Sequence, residues 1–369
     1  MAAIYFHIPF CKQRCSYCDF FSSTDIQKKE QYVDSLCEEL IERKDYLQEK
    51  PVETVYFGGG TPTLLSSADF EKIFHVLHSA YNVETMREIT LEANPDDLTP
   101  DYLESIRHLP FNRISLGIQS FNDSELKMLH RRHDALSAIQ AVERLQRAGY
   151  DNISIDLMYG LPHQNAVNWG KNLRQAIDLQ VQHISAYHLT YEEGTLLYKQ
   201  QKNGSIIPVD EETSIQLFEI LIDSLSKAGF EHYEISNFAR KGFQSLHNSS
   251  YWNGTHYLGI GASAHSYNGF SRQWNKKTLI PDYRTAGFEI ETLDEKTAYN
   301  DFIITRLRRL EGMDLNELRS LFGESHKTYC LKQAEKFVAN GLLLSENNCL
   351  RLTRKGIFVS DSVYSDLIE

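Results

Sequence analysis

The sequence predicts an α/β protein with a partial (β/α)6 barrel of the TIM type, followed by a smaller C-terminal helical, winged-helix-like domain. Short runs rich in Ile, Val, Leu and Tyr alternate with helix-length segments at roughly 35-residue spacing, which is typical of βαβ units. Most of these runs are too continuously apolar for a strand with one solvent-exposed face. They therefore suit parallel strands that are covered on both sides.

Six segments are expected to form the barrel strands, and the first five run directly into polar or glycine-rich residues. The expected strands are 2–8, 53–59, 87–93, 113–119, 152–160 and 183–189, and the main expected helices are 28–47, 67–80, 137–148, 167–178 and 211–228. The C-terminal ends of barrel strands share one mouth, so these polar residues predict one composite site.

Three parts are expected along the chain. Residues 1–240 would form the barrel, and residues 241–281 would form a connecting segment that contains the stretch HNSSYW. Residues 282–369 would form the C-terminal domain, in which three helical patterns precede two strand-like pieces around SENN. Charges in this last part are mixed, which favours a packing or docking role over nucleic-acid binding.

The composition limits the classes of partner and location. The formal net charge of -12 argues against a general nucleic-acid binder, and we expect no nucleic-acid partner. No apolar run is long enough to span a bilayer and no secretory leader is recognisable, so a cytoplasmic location is expected. Six cysteines in 369 residues do not indicate a disulfide scaffold.

Three of these cysteines, Cys11, Cys15 and Cys18, lie within eight positions in the stretch CKQRCSYC. One interpretation is a closed zinc site in which His7 is the fourth ligand. The other is a [4Fe-4S] cluster whose three thiolates leave the fourth iron open to another ligand. The spacing does not decide between them. The cluster is favoured because a structural zinc site would leave the ligand-binding character of the other strand ends unexplained.

A glycine run and two isolated acids are further candidates. GGGTPT contains Gly59 and Gly60, where the backbone could approach a ligand closely, although a simple turn between strand and helix is the usual interpretation. Glu92 and Asp156 are acids within apolar strand runs, where carboxylates are rare unless they are paired. An internal ion pair, for example with Arg113, is the alternative for these acids.

The CxxxCxxC motif after the first strand resembles the radical S-adenosylmethionine (SAM) superfamily, and the resemblance extends over most of the chain. It implies a [4Fe-4S] cluster whose open iron is chelated by the methionine amino and carboxylate groups of SAM. It also implies roles for nine further residues. These are Gly59, Gly60, Thr61 and Glu92 at the amino group, Arg131 at the carboxylate, Gln119 and Asp156 at the ribose, and Tyr5 and Tyr17 as flanking aromatic residues.

Five stretches resemble the oxygen-independent coproporphyrinogen III oxidases and their relatives: IYFHIPFC, GGGTPTLL, NRISLGIQSF, IDLMYGLP and YEISNFA. Two differences from the oxidases stand out. Phe20 occupies the position of a further cysteine, and the first strand begins almost at Met1, without the oxidases' N-terminal extension. Oxidative decarboxylation of a porphyrinogen is therefore the alternative function and not the preferred one.

The stretch HNSSYW matches the H-N-x-x-Y-W signature of the heme chaperone (HemW-type) branch of this family. A neutral imidazole is a good ligand for heme iron, although on the residues alone a loop that plugs the barrel is favoured. The resemblance implies that the chain binds heme through His247 and delivers it to heme-requiring client proteins. These clients would include respiratory proteins, some of them at the membrane. His188, His256 and His265 are candidates for a second ligand, and the sequence selects none of them.

Overall fold

The structure is a computed structural model that describes residues 1–279 and 282–369. The expected boundary at residue 281, between the connecting segment and the C-terminal domain, lies outside these residues. No helix in the described ranges is long and apolar enough to cross a lipid bilayer.

The described residues form fifteen strands and thirteen helices, besides three short 3₁₀ turns. The strands are β1 (Ala2–Ile8), β2 (Val52–Gly59), β3 (Glu88–Ala93), β4 (Arg113–Gln119), β5 (Ile153–Tyr159), β6 (His183–His188), β7 (Glu231–Glu234), β8 (Asn237–Ala239), β9 (His256–Ile260), β10 (His265–Tyr267), β11 (Ser271–Asn275), β12 (Phe288–Thr292), β13 (Met313–Asp314), β14 (Leu343–Glu346) and β15 (Cys349–Leu352). The helices are α1 (Lys29–Glu42), α2 (Ser67–Ala80), α3 (Pro100–Ile106), α4 (Asp123–Met128), α5 (Ala135–Arg147), α6 (Ala166–Asp178), α7 (Leu196–Lys202), α8 (Glu211–Lys227), α9 (Leu246–Trp252), α10 (Glu295–Leu307), α11 (Leu315–Ala339), α12 (Arg354–Ile357) and α13 (Ser360–Leu367).

One twelve-stranded sheet forms the centre of the molecule, in the order β12-β11-β10-β9-β1-β2-β3-β4-β5-β6-β8-β7. Strands β1 to β6 are parallel neighbours in chain order, and β9 pairs in parallel with the free side of β1. This sequential order is that of a TIM-type barrel and differs from the order of a doubly wound sheet. The predicted partial barrel is confirmed, and antiparallel strands extend it on both sides.

The two faces of the parallel strands differ in chemistry because side chains alternate along a strand. The outer face is apolar and packs on the helices; Phe57 of β2, for example, contacts Phe70 and Phe74 of α2. The inner face carries polar side chains, which the strand register places beside one another. They are Tyr5, Thr54, Tyr56, Glu88, Thr90, Glu92, Arg113, Ser115, Ser154, Asp156, His183 and Ser185. The barrel interior is therefore suited to a polar ligand.

The C-terminal part follows the order of a winged helix, as predicted. Helix α10 is followed by β13, by α11, whose two halves are separated at Gly323 (φ +83°), and by the β14–β15 hairpin. This part joins the barrel along strand β7. The amide of Ile235 donates to the carbonyl of Arg308 (3.2 Å), and the amide of Leu310 donates to the carbonyl of Tyr233 (3.1 Å).

Replacement of Trp169 tests the packing of the outer face. The Trp169 side chain in α6 is fully buried, and its indole nitrogen donates to the carbonyl of Leu217 (2.9 Å). We expect Trp169→Ala to lower the free energy of unfolding by about 3–5 kcal/mol in urea titrations. Val167→Ala, on the exposed side of the same helix, is the control and should change it by less than about 0.5 kcal/mol. Equal effects of the two changes would contradict this packing.

Candidate functional site

The cysteine loop, residues 11–18, lies at the C-terminal end of β1 and is anchored on two sides. The backbone amide and the hydroxyl of Ser16 donate to the carbonyls of Leu129 (3.1 Å) and Met128 (3.0 Å) at the C-terminal end of α4. The amide of Leu197 in α7 donates to the carbonyl of Ser16 (3.0 Å). The loop therefore depends on segments that are far away in the sequence.

Cys11, Cys15 and Cys18 are all half-buried in this loop. The Thr61 hydroxyl donates to the Cys11 sulfur (3.7 Å), and the Arg131 guanidinium donates to the Cys15 sulfur (3.3 Å). Burial raises the pKa of the Cys11 thiol and raises the pKa of Cys18 to about 11. Within residues 1–279 and 282–369, no three His, Cys, Asp or Glu side chains are close enough to hold a metal ion in this conformation.

His7 is directed away from any role as a fourth ligand of the cysteine loop. Its Nε2 donates to the carbonyl of Phe21 (2.8 Å), and its Nδ1 accepts from the Tyr5 hydroxyl (3.1 Å). The side chain is buried, and burial lowers its pKa to about 4, so the ring is neutral at pH 7. Because both nitrogens are occupied, the arrangement does not support the zinc site that includes His7.

The glycine segment after β2 lies directly against the start of the cysteine loop. The Gly60 amide donates to the carbonyl of Ile8 (2.8 Å), and a Cβ on Gly60 would lie 2.8–2.9 Å from backbone atoms of the β1 end. Gly59 has φ +109°, and its Cβ would lie 2.6 Å from the His7 ring. Only glycine fits this close approach without displacing a neighbour.

Glu92 and Asp156 both lie on the inner face of the barrel, and neither forms an ion pair in the described residues. The Tyr56 hydroxyl (2.6 Å) and the Gly59 amide (3.0 Å) donate to the two oxygens of Glu92. Burial raises the pKa of Glu92 to about 7, although the Tyr56 hydrogen bond opposes this shift. Burial likewise raises the pKa of Asp156 to about 6. Burial therefore raises the pKa values of both carboxyl groups, and neither group has a direct ion-pair partner in the described residues.

Arg131 and Gln119 complete the mouth on the side of β4. Gln119 has φ +70°, a backbone conformation that is uncommon for a residue other than glycine and often marks a functional constraint. The Arg131 guanidinium donates to the side chain of Asn94 and to the carbonyl of Gly117, besides the Cys15 sulfur. Its Nε is buried and has no partner among the described residues. A buried, unpaired guanidinium N–H is suited to an anionic group of a ligand.

The two aromatic candidates occupy different positions. Tyr5 lies on the inner face of β1, where its ring is 6.0 Å from that of Tyr56 and 6.4 Å from that of His247. Tyr17 packs in a small apolar cluster with Leu129 and Met158 beside the cysteine loop. The two rings therefore have different neighbours.

His247 lies at the other end of the barrel from the cysteines. Helix α9 is capped by the buried carboxylate of Glu88, which accepts from the amides of Leu246 and His247 (both 2.9 Å) at the start of β3. The His247 ring is 1% exposed, and its two nitrogens are hydrogen-bonded to Thr54 (2.9 Å) and Tyr251 (3.0 Å). Burial lowers its pKa to about 3. Iron could bond to this ring only after one of these hydrogen bonds is broken.

A further buried carboxylate, Asp97, which the sequence analysis did not single out, holds the mouth together. Asp97 accepts from Lys12 of the cysteine loop (2.7 Å), from Thr63 after β2 (3.2 Å) and from Arg132 after α4 (3.1 Å). The Lys12 and Arg132 charges hold the pKa of Asp97 below its usual value against the effect of burial. The stretch EANPDD could have indicated Asp97 as a candidate, because this residue follows the end of a predicted strand.

A matched pair of glycine substitutions tests the close approach at Gly59. Gly194 also has a positive φ (+91°), but a Cβ there would meet nothing within 4 Å. We expect Gly194→Ala to cost about 1–2 kcal/mol of unfolding free energy from the backbone conformation alone. Gly59→Ala should cost clearly more in urea titrations because the methyl group also displaces His7. Equal losses would show that the contact with His7 has no energetic consequence.

The pKa of Glu92 predicts a pH dependence of stability. The folded pKa, about 7, lies above the usual value of an unfolded Glu, so the folded state binds more protons between about pH 4.5 and 7. Stability is therefore lost as pH rises through this range. Glu92→Gln should remove this pH dependence. The difference in unfolding free energy between the variant and wild type should therefore be about 2–3 kcal/mol more favourable to the variant at pH 8 than at pH 4.5. Parallel pH profiles of unfolding for the two proteins would contradict the shift.

Comparison with known proteins shows which family the chain resembles. Residues 5–176 match the radical SAM superfamily, and residues 293–359 match the HemN C-terminal domain. The chain is 32% identical to the heme chaperone HemW of Lactococcus lactis subsp. lactis, over 99% of this chain and 96% of that protein. It is 30% identical to the heme chaperone HemW of Bacillus subtilis, over 99% of this chain and 98% of that protein.

A solved structure shares the fold. The coproporphyrinogen III oxidase HemN of Escherichia coli, described as a radical SAM enzyme, matches with a TM-score of 0.86 over 100% of this chain and 90% of that chain. At 22% identity, this similarity shows the fold alone. The family assignment rests instead on the sequence similarity over the full length. The chain belongs to the radical SAM superfamily and, within it, to the family of the heme chaperone HemW.

Proposed function

We propose that this chain is a heme chaperone, which binds heme and delivers it to heme-requiring proteins while it carries a [4Fe-4S] cluster and SAM. The observation that carries the proposal is the full-length similarity to HemW proteins in a chain that keeps HNSSYW as a helix against the barrel interior. Respiratory heme proteins, including membrane-bound ones, are the clients that we propose.

The residues of the mouth fit the cluster. Cys11, Cys15 and Cys18 would hold three irons, and the N–H of Arg131 and the hydroxyl of Thr61 already donate to two of these sulfurs. Donors of this kind stabilise thiolates, which are the form that binds iron. When bound, the cluster and SAM supply a one-electron centre beside a cleavable sulfonium.

The same mouth fits the two ends of SAM. We propose that the unpaired Nε of Arg131 takes the carboxylate of the methionine part and that Glu92, beside Gly59, Gly60 and Thr61, takes its ammonium group. Glu92 has no cationic partner in the described residues, and a bound ammonium would stabilise its charged form. Gln119 and Asp156, on the adjacent strands β4 and β5, would bind the ribose hydroxyls, and Tyr5 and Tyr17 would border the ligand.

Porphyrinogen oxidation remains the second candidate, since the fold is that of HemN. Phe20 argues against it, because the side chain at the position of the oxidases' further cysteine is a phenylalanine that is 63% exposed and has no thiol.

Anaerobic purification of matched cysteine variants tests the cluster. We expect the wild-type chain to be brown and to contain about four irons and four sulfides, as three-thiolate clusters of the [4Fe-4S] type do. Cys15→Ala should lose this absorption, whereas Cys349→Ala, a half-buried thiol outside the loop, should keep it. A colourless wild-type protein with bound zinc would contradict the proposal.

Hemin titration and transfer test the chaperone activity. The wild-type protein should bind hemin, give a Soret band and pass the heme to an apo-heme protein that is separated from it afterwards. It should form no protoporphyrinogen from coproporphyrinogen III in the presence of SAM and a reductant. Formation of that product with consumption of SAM would favour the oxidase instead.

A further inference from the structure

Helix α9, which carries HNSSYW, is held at its two ends by different parts of the chain. It has seven residues, too few for a helix that is stable without tertiary contacts. Glu88 of the barrel strand β3 accepts from the first two amides of the helix. At the other end, the Arg306 guanidinium of α10 donates to the carbonyl of Trp252 and, at 3.0 Å, to that of Asn253. The position of α9 therefore depends on the C-terminal part as well as on the barrel.

The Arg306 side chain is itself fixed within the C-terminal part. It is buried, and its Cζ lies 4.9 Å from the centre of the Phe302 ring on the same helix. Its Nε (3.3 Å) and Nη2 (2.8 Å) donate to the two carboxylate oxygens of Glu317 in α11. The guanidinium thus forms four hydrogen bonds, two with Glu317 and two with the end of α9. Because the guanidinium is planar and rigid, it connects α11 to α9 through one group.

A second arginine of the same segment contacts the last residue of α9. The Cζ atom of Arg308 lies 4.5 Å from the centre of the Trp252 ring, which is the distance of a cation–π contact. Its Nη2 is 3.7 Å from a carboxylate oxygen of Glu234 in β7. The Arg308 Nε and the Trp252 indole nitrogen are both buried and have no hydrogen-bond partner among the described residues. Unsatisfied donors make this contact less favourable, so Arg306 is the main hold on this end of the helix.

The position in which α9 is held is one that closes His247 to a metal. The ring is 1% exposed, and its nitrogens are hydrogen-bonded to Thr54 and to Tyr251. A macrocycle cannot reach a ring with so little exposed surface unless α9 moves. A cation at the C-terminal end of a helix stabilises that helix, and Arg306 therefore stabilises α9 in this closed position. Any movement that opens the helix at this end has to break the Arg306 contacts.

We propose that the C-terminal part regulates the access of heme to α9 and that Arg306 is the positioning residue that keeps this helix closed. Withdrawal of Arg306 lets α9 move and gives heme access to His247, the ligand that the family resemblance implies. This inference rests on the proposed heme chaperone function and adds how access to the heme-binding helix is controlled. Because coupling between two sites is reciprocal, heme that opens α9 also loosens the Arg306–Glu317 pair.

Hydrogen exchange of the anaerobically purified full chain, without heme, tests the closed position. We expect the amides of residues 246–253 to exchange at least about tenfold faster in Arg306→Gln, since two hydrogen bonds from a charged group are lost. Arg306→Lys should be intermediate, because an ammonium group cannot bond to both carbonyls and to Glu317 as the planar guanidinium does. Arg354→Gln is the matched control and should exchange as wild type does, because Arg354 of the C-terminal part bonds to Asp223 (2.6 Å) in α8.

Hemin uptake by the same proteins tests the regulation. Arg306→Gln should bind hemin at least about tenfold faster than wild type, because more of the protein is open, and its Soret maximum should not change, because the ligating groups are the same. Glu317→Gln, a milder change at a half-buried side chain, should act in the same direction. The double variant Arg306→Gln with Glu317→Gln should behave as Arg306→Gln alone, because Glu317 acts through Arg306.

The outcomes separate the inference from the function on which it rests. A wild-type chain that binds no hemin would show that the proposed function is wrong, while hydrogen exchange would still decide whether Arg306 holds α9. If wild type binds hemin and Arg306→Gln binds it at an unchanged or lower rate, the function stands and the regulation by the C-terminal part is overturned. If Arg306→Gln does not fold, Glu317→Gln decides the matter by the same two measurements, and an unchanged exchange and uptake would overturn the inference.

Discussion

The carboxylate of Glu92 accepts hydrogen bonds from the Tyr56 hydroxyl and the Gly59 amide inside the barrel. This contact fixes the end of β2 against β3 and thereby places Gly59 directly over the His7 ring. His7 in turn bonds to the carbonyl of Phe21, just beyond the cysteine loop. The position in which the thiols are held therefore follows from a buried acid on another strand. This arrangement requires both a polar inner face and a glycine with positive φ at the strand end.

Tyr56 also connects the mouth of the barrel to its base. Its ring stacks on His247 at 4.9 Å, while its hydroxyl bonds to Glu92. Glu88, two positions before Thr90 and four before Glu92 on the same strand, caps the helix that carries His247. A change in charge at Glu92, such as one caused by a bound ammonium group, would therefore affect the contacts of α9 through the Tyr56 side chain. The base and the mouth are parts of one polar network along β2 and β3.

Much of the fold could be predicted because it depends on local pattern. The bounds of β1, β4 and α2 agree with the sequence analysis, since apolar runs and the Ser66 capping box mark them. The expected helix 28–47 is too long by five residues at its end. The Arg43 side chain, just past the end of α1, instead bonds to residues of β9, β10 and β11. No local signal in the sequence indicates such a contact.

The candidate site likewise has a part that could be predicted from the sequence and a part that could not. Its residues could be found because strand ends in a barrel converge, but their partners could not, since each partner comes from another element. The contact of Arg131 with Cys15 and the pairing of β9 with β1 are both of this kind. Residues 241–279 were expected to belong to a connecting segment that holds HNSSYW, and they also supply a seventh parallel strand, β9.

The burial of His247 bears on where a heme can be accommodated. Release of its ring breaks the hydrogen bonds to Thr54 and Tyr251, each worth about 0.5–1.5 kcal/mol, and removes its stacking on Tyr56, worth about 0.5–1.5 kcal/mol more. Ligation there would start from a deficit of about 1.5–4.5 kcal/mol, which reduces the population that is ready to bind by roughly 10- to 2,000-fold.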